Sequence, residues 1–319
     1  MVSKQVKYGK KAFANGKYEG QFREGLMEGR GTFFFTSGPL NGYKYKGEFE
    51  DDKENGTGEL FDENSTLRYK GAWKDGMRHG DGQEYTKAGQ IKYKGDWMND
   101  VKEGFGLKFR DNCKFPLYEG QIVNDKREGT GKEYTFKGEL LYDGLWKNEK
   151  KCGYGLEYFK SGEIKYDGEW SDNKKNGKGI KYDFSKNKER EGDWKNDQFE
   201  GEGVEYYNKT GLVKYTGAWV DGLREGKGKD YWDDGTLKYK GHYKKDKKHG
   251  KGTFYQENGM IVYEGMWNED KQDGKGIGYD KFGHKRYDGD FVNNEQTGYG
   301  IEFDKYSGMK IYEGYWMKG

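Results

Sequence analysis

The chain has 319 residues, with 58 Lys and Arg against 56 Asp and Glu, and its net charge of +2 supplies no global pull toward nucleic acid or a membrane surface. Hydrophobic residues are only 31% and charged residues 36%, which excludes ordinary domains with thick aliphatic cores. Aromatics at 17%, with 54 Gly but 2 Pro, equally exclude a disordered or flexible-linker chain, and leave a thin structure with a narrow aromatic core.

Residues 1–17 contain no apolar core of signal-peptide length. No apolar run approaches the length of about 18 residues that a membrane helix needs. Residue 2 is Val and the chain ends Met-Lys-Gly, so neither end carries a lipidation signal. Gly9–Lys17 reads as the second half of a repeat unit, which makes 1–17 an N-terminal half-repeat.

From Tyr18 onward one motif recurs, an aromatic, any residue, Gly, any residue and a second aromatic. It starts at Tyr18, Tyr45, Tyr69, Tyr93, Tyr118, Tyr142, Tyr166, Arg190, Tyr215, Tyr239, Tyr263, Tyr287 and Tyr312. After a first step of 27 residues every step is 24 or 25. Eleven residues after each start but the last stands a Gly-x-Gly, from Gly29/Gly31 through Gly80/Gly82 to Gly298/Gly300. Self-similarity at this period is the signature of a repeat array. Residues 18–319 therefore hold about 13 repeat starts, the last one truncated.

Within a repeat, Tyr, Gly and Trp alternate with Lys, Glu, Asp or Ala, so the former share one strand face. A turn rich in Asp, Asn, Gly and Lys, such as residues 74–79, then leads into the Gly-x-Gly strand, and the unit is a β-hairpin. A second turn, often centred on a glycine such as Gly89, Gly162, Gly235 or Gly259, leads to the next unit. Gly is disfavoured inside a strand unless something approaches its backbone closely, and a ring from the adjoining strand is the expected neighbour. The predicted core aromatics are Tyr69, Trp73, Tyr93, Trp97, Tyr142, Trp146, Tyr166, Trp170, Tyr215, Trp219, Tyr263 and Trp267. The parity of the second aromatic position differs from that of the paired glycines, which leaves a bulge or a two-sided core as alternatives. The predicted fold is all-β, an elongated single-layer twisted antiparallel meander. At about 9–10 Å per repeat it would form a rod on the order of 120 Å long.

These motifs resemble the MORN-repeat family, whose core reads Y-x-G-x-W, a short turn and G-x-G, and the resemblance spans roughly Tyr8 to Gly319. Departures are Arg190 in place of the leading Tyr, Ile122 in place of the second aromatic, and a Phe184–Glu189 loop without Gly. The resemblance implies a non-catalytic scaffold or protein-interaction module of a cytoskeletal or ciliary, axonemal assembly, in the cytoplasm. Radial-spoke heads and protist cortical scaffolds are the comparison. Junctophilin-like proteins and plant phosphoinositide kinases imply two alternatives, a peripheral phospholipid-binding tether and the regulatory repeat arm of a larger enzyme.

The residues themselves offer little chemistry. His79, His242, His249 and His284 are read as falling in different repeats, too far apart along a rod to share a metal or a triad. The Gly-x-Gly motifs carry no Walker Lys-Ser/Thr and open no helix. Cys113 and Cys152 form no CxxC and fit a reduced compartment. No catalytic residue, metal or cofactor is therefore expected. Two binding features stand out. The position two before the first glycine of each pair is basic in a run of repeats: Arg78, Lys102, Arg127, Lys151, Lys175, Arg224 and Lys248. This ladder could meet anionic phospholipid or the acidic face of a protein; the plainer reading is a solvated turn among Asp75, Asp100, Asp125 and Asp246. Tyr312 and Trp316 mark a second feature, an edge at which the chain could pair with another copy or another protein. An aromatic-rich groove would suit an extended peptide or helix. Expected partners are thus other proteins, this chain included, with phospholipid as the alternative and nucleic acid not expected.

Overall fold

The computed structural model describes residues 6–317. The residues on which the readings of both chain ends partly rest, 1–5 and 318–319, lie outside the described ones. The chain divides into two compact units, Met1–Gly162 and Glu163–Gly319.

Alternation of apolar and polar positions makes strands, and strands account for all of the regular structure among the described residues. The first unit holds β1 (Lys7–Phe13), β2 (Gly16–Arg23), β3 (Leu26–Phe35), β4 (Lys44–Glu50), β5 (Lys53–Phe61), β6 (Leu67–Lys74), β7 (Met77–Tyr85), β8 (Ile91–Met98), β9 (Val101–Lys108), β10 (Tyr118–Val123), β11 (Lys126–Tyr134), β12 (Leu140–Lys147) and β13 (Lys150–Tyr158). The second holds β14 (Ile164–Ser171), β15 (Lys174–Tyr182), β16 (Lys188–Lys195), β17 (Gln198–Tyr206), β18 (Val213–Val220), β19 (Leu223–Tyr231), β20 (Leu237–Lys244), β21 (Lys247–Tyr255), β22 (Ile261–Asn268), β23 (Lys271–Tyr279), β24 (Lys285–Val292), β25 (Glu295–Phe303) and β26 (Lys310–Trp316). Within each unit every strand pairs antiparallel with the next, as β6 does with β7 and β7 with β8. Each unit is thus a meander of consecutive hairpins.

The hairpin turn is tighter than the sequence reading of a six-residue loop at 74–79. Lys74 faces Met77 directly, and only Asp75 and Gly76 form the turn. Both have positive φ, 53° and 82°. Asn99–Asp100 and Asn124–Asp125 repeat the pattern. Two successive left-handed residues make a type I′ turn, whose twist matches the flanking strands, and Asn, Asp and Gly tolerate it best.

The parity question resolves as a bulge. Gly71 faces Gly82 across the hairpin, but the next aligned pair is Trp73 and Arg78, so the β7 side carries the extra residues. Gly80 sits in that bulge at φ +73° and faces Trp97 of the next hairpin. In several repeats a side chain from the opposite strand caps the bulge: Gln121 Oε1 accepts from Thr130 N at 3.0 Å, and Asp96 Oδ2 from Phe105 N at 2.9 Å.

The core is one ring thick. A Cβ on Gly82 would lie 2.2 Å from the Tyr69 hydroxyl oxygen and 2.6 Å from its ring, so the tyrosine lies flat where only glycine leaves room. The Tyr69 hydroxyl donates to the Ala72 carbonyl at 3.0 Å, which satisfies its one polar atom. Rings then meet edge to face: Tyr69 stands 5.2 Å from Trp73 of its own hairpin and 5.4 Å from Trp97 of the next. The same alternation runs from Tyr215 through Tyr243, Tyr239, Trp267, Tyr263, Phe291 and Tyr287 to Trp316. Each such contact is worth about 0.5–1.5 kcal/mol beyond the area it buries. All twelve predicted core aromatics are buried; among them the tyrosines are at most 1% exposed. Ile122, fully buried, takes the tryptophan position in its repeat.

Candidate functional site

The predicted ladder residues lie in the strands that follow the type I′ turns. Their side chains turn inward. The Arg78 guanidinium lies 4.1 Å from the Trp97 ring centre and 5.7 Å from that of Tyr69, and its Nε donates to Asp100 at 2.9 Å. Lys102 sits between Tyr93 and Trp97, at 5.2 and 5.3 Å, with its ammonium 2.7 Å from Glu84. Arg127 repeats the arrangement on Trp146 at 4.1 Å, bonded to Glu149 at 2.7 Å. Lys151 lies over Tyr142 at 4.6 Å and pairs with Glu133 at 2.9 Å. Lys175 lies 5.0 Å from Tyr166, Arg224 4.5 Å from Tyr215, and Lys248 4.7 Å from Trp267. Arg224 also holds Glu205 at 2.7 Å and Asp230 at 3.4 Å.

These seven cations are half-buried and form a lid over the aromatic core. Burial alone would raise the Glu84 carboxyl, yet its bonds to Lys102 and Lys92 hold it below the usual range. Glu205 behaves alike through Arg224. Burial pushes the Lys248 ammonium down, against the pull of Asp270. The backbone joins in, for the N–H groups of Arg78, Lys102 and Arg127 donate to Asp100, Asp125 and Glu149 in the turn of the following repeat. Side chain and main chain thus tie each repeat to the next.

One departure in the motif turns out to be an exchange. Where the Tyr is replaced by Arg190, the ladder position nine residues later holds Phe199 instead of Lys or Arg. Phe199 is 1% exposed and lies 5.1 Å from both Trp194 and Trp219, as a core tyrosine does. A Cβ on Gly203 would strike its ring at 2.2 Å. Arg190 lies over Phe199 at 5.4 Å and Trp219 at 4.7 Å, in the place of the missing ladder cation. The ring and the cation have traded strands and kept their contact. The signal was legible as a paired departure at a constant nine-residue offset.

The face away from the rings is the accessible one. Its grooves are lined by residues that alternate with the glycines: Lys46, Glu48, Thr57, Glu59 and Lys70 in the first unit, and Thr216, Lys227, Lys229, Lys240 and Lys251 in the second. The sequence expectation of an aromatic groove is corrected here, since the Tyr–Trp series lies buried under its cations. Tyr312 and Trp316 both lie in β26; Trp316 closes the ring series 5.2 Å from Tyr287, while Tyr312 is 44% exposed.

The histidine reading also needs correction. His242 and His249 belong to one hairpin and are direct cross-strand partners, because both strands of that repeat carry one. Among the described residues no group of three or more His, Cys, Asp and Glu could hold a metal ion. Cys113 and Cys152 are both half-buried. No helix among the described residues is long and apolar enough to cross a membrane.

Comparison with known families matches the MORN repeat to residues 18–39, 45–66, 69–89, 93–114, 118–139, 142–164, 166–187, 191–210, 215–237, 239–261, 263–277 and 287–305. No curated protein matches the chain. With twelve tandem matches in the register of the glycine-backed hairpins, the chain belongs to the MORN-repeat family.

Proposed function

We propose that this protein is a non-catalytic scaffold that holds other proteins within a cytoskeletal or ciliary assembly. MORN repeats make it a repeat-based module of protein interaction or membrane binding. The observation that favours protein partners is the placement of the ladder. Its cations are the ones a membrane tether would need, and they face the rings and carboxylates of their own chain. A charge already satisfied inside the fold has little left to offer a lipid headgroup. The opposite face instead presents grooves of charged and hydroxyl side chains, which vary from repeat to repeat and so can discriminate between partners.

The test is to tag the protein in its own cells and extract them with mild detergent. Retention in the insoluble cytoskeleton, with crosslinked protein neighbours, is the expected result. Release with the lipids would overturn the scaffold reading in favour of a membrane tether.

A further inference from the structure

On the face of β19, β20 and β21 away from the tyrosines, positive charge accumulates that the fold does not neutralise. Gly228, Gly241 and Gly252 turn their missing side chains toward the rings of Tyr215 and Tyr239. By the two-residue period of a strand, Lys227, Lys229, Lys240, His242 and Lys251 point the other way. All five are exposed. They line a groove of about 640 Å³ together with Thr216, Thr253 and Tyr255, with Glu202 at one end.

Internal comparison shows how unusual this is. At the corresponding cross-strand positions of five other repeats a cation meets an anion, while at one, Asp81 facing Asp96, two anions meet. Arg30 faces Glu48 at 4.0 Å, Lys70 faces Glu59 at 3.0 Å, Lys132 faces Asp143 at 3.7 Å, Lys178 faces Asp193 at 2.6 Å, and Lys275 faces Asp290 at 2.8 Å. Here Lys229 faces Lys240 and Lys227 faces His242. Like charges directly opposite on a sheet destabilise it. Among the described residues none of the four lysines enters an ion pair, whereas the neighbouring Arg224 and Lys214 both pair with Glu205. The His242 ring lies with Nδ1 3.2 Å from the Lys251 carbonyl, so Nδ1 carries the proton that bonds it.

We propose that this groove binds an extended acidic peptide segment of a partner protein through Lys227, Lys229, Lys240 and Lys251. The proposal rests on the protein-interaction reading above and gives it a place and a chemistry. Charge complementarity requires an anion, and spacing selects its form. Lys227 and Lys229 are about 7 Å apart along β19, and the three strands span about 10 Å. A single phosphate group is too small to bridge that patch, whereas alternate carboxylates of an extended chain repeat at about 7 Å. The hydroxyls of Thr216, Thr253 and Tyr255 in the lining can bond a peptide backbone, and the acidic Glu202 at one end sets a limit to the occupant.

The test is fluorescence anisotropy of a labelled oligoglutamate peptide with the full chain at low salt. Saturable binding is expected, weakened about tenfold or more by K227E/K229E/K240E. The charge-matched K46E/K94E/K132E, in the first unit on strand positions that alternate with its own ring-backing glycines, should stay within about twofold of the unsubstituted chain. Circular dichroism of both variants checks that these exposed substitutions leave the fold intact. No saturable binding, or equal loss in both variants, would overturn the proposal. So would capture of phosphatidylserine vesicles or a single-stranded oligonucleotide in place of the peptide. Protein neighbours found by crosslinking in cells would persist through such a failure if only the site is wrong, and would be missing if the scaffold reading itself is wrong.

Discussion

The exchange of Arg190 and Phe199 makes a quantitative demand on the fold. If ring and cation form one unit regardless of which strand supplies each, then restoring the common order should cost little, although either single change costs a good deal. Phe199→Lys removes a ring that is 1% exposed between two tryptophans and places an ammonium beside the Arg190 guanidinium. Loss of a buried Phe side chain costs about 3–5 kcal/mol. Arg190→Tyr forces a second ring against an occupied site, at about 1–3 kcal/mol, and gives up cation–π contacts worth about 1 kcal/mol each. Its ion pair with Glu205, at 3.7 Å, adds little, since Glu205 keeps Arg224 and Lys214. The double variant R190Y/F199K recreates the arrangement seen at Tyr142 and Lys151, and should lose no more than about 1 kcal/mol. The coupling is then about 5 kcal/mol or more, above the range of about 0.5–3 kcal/mol usual for side chains in contact. Hydrogen exchange of the β16, β17 and β18 amides reads it locally, which matters in an array where neighbouring repeats unfold with different free energies. Additivity of the two single changes to within about 0.5 kcal/mol would refute the exchange.

Four further outcomes follow from the same geometry. Gly82→Ala should cost about 3 kcal/mol or more by driving a Cβ into the Tyr69 ring, measured by chemical denaturation followed by tryptophan fluorescence. Arg127→Ala should destabilise by about 2–3 kcal/mol, since it strips the stack on Trp146 and leaves Glu149 short of a partner, whereas Lys126→Ala at an exposed position should stay within about 0.5 kcal/mol in the same assay. Trp146→Phe loses a hydrogen bond from Nε1 to the Gly131 carbonyl at 2.9 Å; Trp97→Phe loses none, as its Nε1 has no partner, so the first should cost about 1 kcal/mol more than the second. High pH should unfold the repeats. Burial pushes the phenols of Tyr18 and Tyr263 up to about 12, and those of Tyr45, Tyr69 and Tyr93 higher still. The unfolded chain ionises near pH 10 while the folded one keeps its protons, so stability is full below about pH 10 and falls by about 1.4 kcal/mol per pH unit for each such phenol above it. Circular dichroism and tyrosinate absorbance should therefore change together above pH 10; core tyrosines that ionised near pH 10 with the sheet intact would contradict the burial.

Local rules carried much of this protein in plain view. A ring, a glycine and a ring at alternate positions fix a strand face, and a glycine that must lie under a ring cannot hide in a strand pattern. The repeat register, the hairpin order and the core from Tyr69 to Trp267 were therefore legible, as was the departure at Arg190, though not its exchange with Phe199. Sequence alone determined those because each depends on neighbours a few residues away. The tertiary structure decided what lies across strands. The bulge at Gly80 sets Arg78 opposite Trp73, and its guanidinium lies over the rings of Trp97 and Tyr69. The two-residue turn, the pairing of His242 with His249, and the meeting of Lys229 with Lys240 follow from the same register. A shift of one residue there would turn each of these side chains to the opposite face, and no spacing along the chain records which alignment the bulges select.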